Sequence, residues 1–264
     1  MRTSLSKLAM CRRYAQAAFV GGLLAFGLAS CASAPDPEPE EVSIFANGLK
    51  RDYAYAFAAD TRRPIDDYAR YAAPDLRKLL AFVAPQPGME LVELGAEQGF
   101  YTELLASLVG NEGAIRAYNS QDLHLEFNSE ILNRGHVRRL TNLDYGVSDY
   151  LRLGKRRSVD RVTWLNGEFS QLIESSSGSS EVRRILREVR RVLSRDGVFV
   201  LLVEEYPTSA LGDQQYPALS NREQAIRHVT KAGLHFESAV DVSGVTEAPS
   251  DKLVLLRFLR VKPS

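Results

Sequence analysis

From about residue 89 onward, apolar positions alternate between two rhythms. Met89-Glu-Leu-Val-Glu-Leu94 is a short apolar run between Gly88 and Gly95, which predicts a buried strand. Residues 101–109 place Leu104, Leu105 and Leu108 on one helical face, and Gly110 and Gly113 end that helix. Residues 114–118, 137–143 and 159–165 predict three further strands, with a polar helix over 122–133 among them. Over 181–193, Val182, Ile185, Leu186, Val189 and Val192 fall inward and arginines outward, the pattern of an amphipathic helix. Asp196-Gly197 turns the chain into an apolar fifth strand, 198–203. A helix over 222–232 is capped by Gly233, and Val240 and residues 253–259 close the sheet. Upstream, residues 44–60, 66–71 and 75–83 predict three helices; Pro74 suits the first turn of the third, and Pro85 and Pro87 stop it. The Ser175–Ser180 stretch reads as a loop. Apolar strands separated by helices predict an α/β fold whose parallel sheet is covered on both faces. Ligands bind such sheets beyond the carboxyl ends of the strands, where strand order reverses. The turn Gly95-Ala-Glu-Gln-Gly99 is therefore the first place to look.

The first thirty residues follow neither rhythm. Arg2, Lys7, Arg12 and Arg13 precede an apolar stretch over 15–29, and Leu28-Ala-Ser-Cys31 closes it. Positive start, short apolar run and small residues before the cut define a secretory signal; the cysteine makes it the lipoprotein variant, with Cys31 as the lipidation site. The run is short for a membrane crossing, which needs about 20 residues. Residues 32–42 alternate proline and acid, which favours an extended, solvated tether. The expected organisation is a signal peptide over 1–30, lipidated Cys31 and tether over 31–43, and one domain over 44–264. Ala32 after the cysteine favours the outer membrane, facing the periplasm. The membrane is thus an expected partner through the lipid anchor.

Charge and cysteine content narrow the chemistry. Residues 1–30 hold four basic and no acidic residues, so their removal takes the balance from 33 basic and 33 acidic to a net charge of about −4. No basic excess argues for nucleic acid. The cysteines are Cys11 and Cys31, which leaves the domain without a disulfide, a thiol nucleophile or a cysteine metal site. His124, His136, His228 and His235 show no ligand spacing.

Pro87-Gly-Met89 leading into Leu91-Val-Glu-Leu-Gly-Ala-Glu-Gln-Gly-Phe-Tyr-Thr-Glu-Leu-Leu-Ala106 resembles the first motif of class I S-adenosylmethionine-dependent methyltransferases. Ile115-Arg-Ala-Tyr-Asn119 is similar to that family's second strand, and residues 185–200 to its helix, turn and fifth strand. Arg63-Pro64 and Tyr101 are similar to an exported, methyltransferase-like branch. The resemblance spans about residues 60–260 and implies a Rossmann-like class I methyltransferase fold: a mostly parallel seven-stranded sheet with helices on both faces. It implies S-adenosylmethionine as cofactor. It further implies a cofactor site made by Glu93, Gly95, Ala96, Glu97, Gly99 and Tyr101, by Asn119 toward the ribose, by Asn142 or Asp144 toward the adenine, and by Asn166 near the methyl group.

Two positions depart from the family pattern. Glu97 stands in place of the middle glycine, and Asn119 in place of the ribose-binding acid. A Glu97 carboxylate about 5 Å from the cofactor's own would repel it by roughly 3 kcal/mol at an effective dielectric of 20. Asn119 lacks the charge-assisted bond a carboxylate makes. Both changes weaken the expected binding, and Glu97→Gly with Asn119→Asp is expected to restore it. Glu204 and Glu205 stand where a general base would, Trp164 and Phe169 where an acceptor pocket would; solvated strand end and core packing are the simpler readings. Two functions remain open. One is methyl transfer to an unknown acceptor. The other is a non-catalytic methyltransferase-fold module that binds a small molecule or an envelope protein.

Overall fold

The computed structural model describes residues 67–71, 73, 75–127, 130–174, 178–205, 221–243 and 253–261. The signal segment, the tether, the helix expected over 44–60 and Arg63-Pro64 lie outside the described residues.

Short helices α1 (Asp67–Tyr71) and α2 (Leu76–Val83) lead into β1 (Glu90–Leu94), followed by α3 (Phe100–Val109) and β2 (Ala114–Asn119). Helices α4 (Gln121–Phe127) and α5 (Glu130–Arg138) precede β3 (Leu143–Val147) and β4 (Val159–Trp164). Next come α6 (Glu168–Glu174), α7 (Gly178–Val192), β5 (Leu193–Glu204), α8 (Asn221–Lys231), β6 (His235–Val242) and β7 (Leu253–Leu259). The seven strands form one sheet in the order β3-β2-β1-β4-β5-β7-β6. All pairs from β3 to β5 are parallel; β7 runs antiparallel to both β5 and β6. Strand order reverses between β1 and β4, which puts the switch point at the turn after β1.

The period-two alternation of each strand divides the core. Val92, Leu94, Val162, Trp164, Phe199 and Leu201 pack with α6, α7 and α8 on one face. Leu91, Ile115, Val198, Val200 and Leu202 pack with α2 and α3 on the other. Each such fully buried aliphatic side chain contributes about 1.5–3 kcal/mol of transfer free energy. Arg161 and Arg257 donate to the carbonyls of Val83 (3.0 Å) and Phe82 (2.6 Å), so two cations sit on the carboxyl end of α2.

Three sequence expectations shift. Residues 137–138 belong to α5, whose buried face is Ile131, Arg134 and Gly135, and the third strand begins only at Leu143. β3 is an edge strand, half-exposed and polar, so its pattern is weak. The polar helix expected over 122–133 is divided between α4 and α5. The helix expected from 181 starts at Gly178, inside the serine-rich stretch.

Candidate functional site

Every odd residue of the turn after β1 is left-handed: Gly95 (φ 63°), Glu97 (φ 52°) and Gly99 (φ 88°). The two glycines are demanded by protein packing as well as by backbone angle. A Cβ on Gly95 would lie 2.3 Å from Asn166 Nδ2, and one on Gly99 would lie 2.8 Å from Ile131 Cγ1. Glu97 holds a backbone conformation that costs a non-glycine residue about 1–2 kcal/mol.

Two buried asparagines clamp this turn. Asn119, at the end of β2, accepts the Glu97 N–H at Oδ1 (2.8 Å) and donates from Nδ2 to the Glu97 carbonyl (3.0 Å). Asn166, just beyond β4, donates to the Gly95 carbonyl (3.0 Å) and accepts the Glu168 N–H (3.2 Å). Ala96 N–H donates to Tyr118 O (3.1 Å), which ties the turn to β2 a second time. Asn119 is fully buried, and its amide also meets the Tyr145 hydroxyl (3.4 Å), which in turn lies 2.9 Å from His124 Nδ1. Asn119, expected to face a ribose, thus spends its amide on the turn.

The electrostatics centre on Glu93, 1% exposed in β1. Burial pushes its carboxyl up to about 8; the Thr102 hydroxyl, which donates to it at 2.5 Å, opposes the shift, Glu97 adds to it and Arg70 opposes it. At neutral pH Glu93 is mostly protonated. Arg70 of α1 lies 4.0 Å from the Phe100 ring centre and 5.4 Å from that of Tyr101. Burial raises the Tyr101 hydroxyl, against the pull of Arg70. Glu93, Glu97, Arg70 and Tyr101 are therefore electrostatic neighbours, and Arg70 was not among the sequence-predicted site residues.

Behind the turn lies an ion network. Arg134 of α5 pairs with Asp67 of α1 and with Glu103 of α3 (3.0 Å), and its Nε donates to the Gln98 carbonyl (3.0 Å). Arg138 adds a second cation on Glu103 at 2.9 Å. Nothing in the spacing of Asp67, Glu103 and Arg134 announces this meeting.

A further acid stands at the carboxyl end of β4. Glu168 accepts from the Tyr150 hydroxyl (2.9 Å) and the Trp164 indole N–H (3.2 Å), and it also bonds to Ser120. Burial raises its pKa, against those three hydrogen bonds. Ser120 follows β2 and Glu168 follows β4, with β1 between those strands, so the contact joins the two loops flanking the switch point.

The remaining expected site residues are elsewhere. Asn142 immediately precedes β3 and donates to Ala106 O and Gly110 O, both at 2.9 Å, closing the carboxyl end of α3. Asp144 pairs in register with Arg116 near the start of β2 and is exposed. The shift of β3 thus places both at the opposite end of the sheet from Gly95–Gly99. Trp164 and Phe169 are buried and stack edge to face at 5.3 Å, within the core. A cavity of about 550 Å³ is lined by Leu132, His136 and Leu143, and one of about 320 Å³ by Leu151, Arg184 and Arg191. Neither includes a residue of the turn.

No protein-family model and no curated protein matches the chain. Solved structures do. One is a SAM-dependent methyltransferase from Aquifex aeolicus, at 17% identity over 80% of this chain and 100% of that one, with a TM-score of 0.56. The [4+2]-cyclase SpnF is similar at 16% identity over 69% and 79%, with a TM-score of 0.52. A geranyl diphosphate methyltransferase, solved with GPP and sinefungin, is similar at 13% identity over 70% and 76%, with a TM-score of 0.50. A cyclase among them illustrates that the architecture does not select one reaction. The chain has the fold of the class I S-adenosylmethionine-dependent methyltransferases.

Proposed function

We propose that the chain is an exported, lipid-anchored protein of the cell envelope that binds S-adenosylmethionine at the Gly95–Gly99 turn and transfers its methyl group to an acceptor. The observation that carries this reading is the grouping of Glu93, Glu97 and Arg70 at the carboxyl end of β1. The methionine end of the cofactor is a zwitterion beside a sulfonium. Two carboxyl groups suit its ammonium and sulfonium, and a guanidinium suits its carboxylate. The ribose end is served less well, because the Asn119 amide is bonded to Glu97. When bound, the cofactor supplies an electrophilic methyl carbon. The chain's own task is to hold and orient it and to keep water out. Glu93, protonated although Arg70 is near, is expected to release its proton when the cofactor's cationic groups arrive.

Calorimetry on the mature polypeptide, residues 32–264 without lipid, tests this. Titration with S-adenosylmethionine at neutral pH, in two buffers of different ionisation enthalpy, is expected to show binding with release of up to one proton. Glu93→Gln should bind without that release. No heat of binding at millimolar ligand would overturn the reading. Mass spectrometry of the exported protein should find a diacylglyceryl group on Cys31, lost in Cys31→Ala.

A second reading, a non-catalytic binding or scaffold module, is favoured by the Ser120–Glu168 contact between the loops flanking the switch point. Export favours it too, since S-adenosylmethionine is made in the cytosol. Breaking the contact with Ser120→Ala separates the two: improved affinity means that the bridge obstructs the ligand.

A further inference from the structure

Four arginines from three separate stretches meet at one end of the described structure. Arg156 and Arg157 lie before β4, Arg190 in the last turn of α7, and Arg260 just after β7. Backbone and Nε contacts fix three of the four. Arg260 Nε donates to Arg190 O (3.1 Å), Arg190 Nε to Gly233 O (2.9 Å), and the Arg157 N–H to Arg191 O (3.1 Å). Burial and then the charges of Arg157, Arg190 and Arg156 hold the Arg260 guanidinium below its ordinary range. Among the described residues, none of the four has an acidic partner, whereas neighbouring Arg191 is paired with Glu188 at 2.6 Å. Asp196 is close, beside the Gly197 carbonyl that accepts the Arg260 N–H at 3.2 Å, yet it forms no ion pair with them.

A solvated helix face would explain Arg183, Arg184 and Arg187 on the outside of α7. It does not explain guanidiniums gathered from three stretches. The carbonyl end of α7 carries about half a negative charge, which offsets only part of four cations. The chain as a whole is neutral, so this is segregated charge. Arginine forks pair two-pronged with phosphate. Val261, 47% exposed, follows Arg260 in the chain and puts an exposed apolar residue beside it. Basic residues beside an exposed apolar one fit the phosphate plane and upper acyl region of a bilayer.

We propose that this arginine end docks the domain on the phosphate surface of an anionic phospholipid membrane. It is a contact separate from the lipid anchor and from the methyl-transfer reading, and it fixes which end of the domain faces the bilayer.

The test is co-sedimentation of unlipidated residues 32–264 with vesicles of phosphatidylcholine alone and of an equal mixture with phosphatidylglycerol, at low and physiological salt. Binding to the mixture, weakened by salt, is expected. Arg156→Gln/Arg157→Gln/Arg260→Gln should lower partitioning at least about tenfold, and its melting temperature should change little, because relieved repulsion offsets the lost bond from Arg260 to the Arg190 carbonyl. Arg156→Gln alone should lower it about threefold or more; that side chain makes no hydrogen bond among the described residues, so folding is not at stake. Arg77→Gln/Lys78→Gln, exposed on α2, should change nothing. Equal binding to both vesicles, or unchanged binding by the triple variant, would overturn the proposal. So would displacement by millimolar inorganic phosphate, which would mean a small-anion site only, or tighter retention on heparin than on vesicles.

Discussion

Asn119 grips Glu97 by both ends of its backbone: the side-chain oxygen takes the Glu97 N–H at 2.8 Å, and the side-chain nitrogen gives to the Glu97 carbonyl at 3.0 Å. A side-chain amide offers a donor and an acceptor side by side, whereas a carboxylate offers acceptors alone. The glycine turn keeps its shape through β2, and the left-handed Glu97 is held from outside by a fully buried side chain.

Asn119→Asp is therefore expected to harm the turn, contrary to the expectation from the sequence alone. A carboxylate would face the Glu97 carbonyl with no hydrogen to give, at a cost of about 1–3 kcal/mol. Urea denaturation checks this. Stability equal to the unmodified protein, with tighter S-adenosylmethionine binding, would show that the amide is dispensable.

Glu93 makes stability depend on pH. Its folded-state pKa is raised from 4.5 to about 8, so the folded chain keeps a proton that the unfolded chain releases. Its contribution is complete below pH 4.5 and is lost as pH rises toward 8, by an amount on the order of 2–5 kcal/mol. Glu93→Gln stays neutral and still accepts the Thr102 hydroxyl, so its stability should be flatter from pH 5 to 9 by roughly that margin. A parallel decline in both proteins would assign the slope to other groups.

Glu97→Gln keeps the backbone but removes a negative charge that raises Glu93. The Glu93 midpoint should move down while stability at neutral pH rises slightly. Carbon-13 NMR of the Glu93 carboxyl reports the midpoint directly, and an unmoved midpoint would mean that the two groups do not interact.

Gly95→Ala should cost at least about 2 kcal/mol, because the left-handed backbone and the displaced Asn166 amide add together. Gly88→Ala is the control, with a positive φ and open space around it, and it should cost only about 1 kcal/mol. Thermal melts of the pair distinguish steric from backbone terms.

Arg134→Ala should be among the most destabilising single changes, on the order of 3–5 kcal/mol. It strands the buried carboxylate of Asp67, leaves Glu103 to Arg138 alone and takes the donor from the Gln98 carbonyl. A loss below about 1 kcal/mol in chemical denaturation would mean that water replaces the guanidinium.

Much of the fold could be read from spacing alone. Runs such as Leu91-Val-Glu-Leu94 and Phe199-Val-Leu-Leu-Val203 are apolar because both faces of a central parallel strand are covered, and the glycines between helix and strand mark the turns. The edge strand β3 begins later than the apolar pattern predicts, because half-exposed residues carry little hydrophobic signal, and Asn142 and Asp144 therefore lie at the far end of the sheet. The sequence by itself determined the α/β class, the strand–turn–helix at Gly95–Gly99 and the substitutions at 97 and 119. Only the tertiary structure decided that Asn119 faces the turn, that Arg70 and Arg134 reach it from distant helices, and that Arg156, Arg190 and Arg260 converge. Local periodicity fixes which face of an element is buried. Which side chains from separate elements meet depends on strand order and register, and no spacing along the chain encodes those distances.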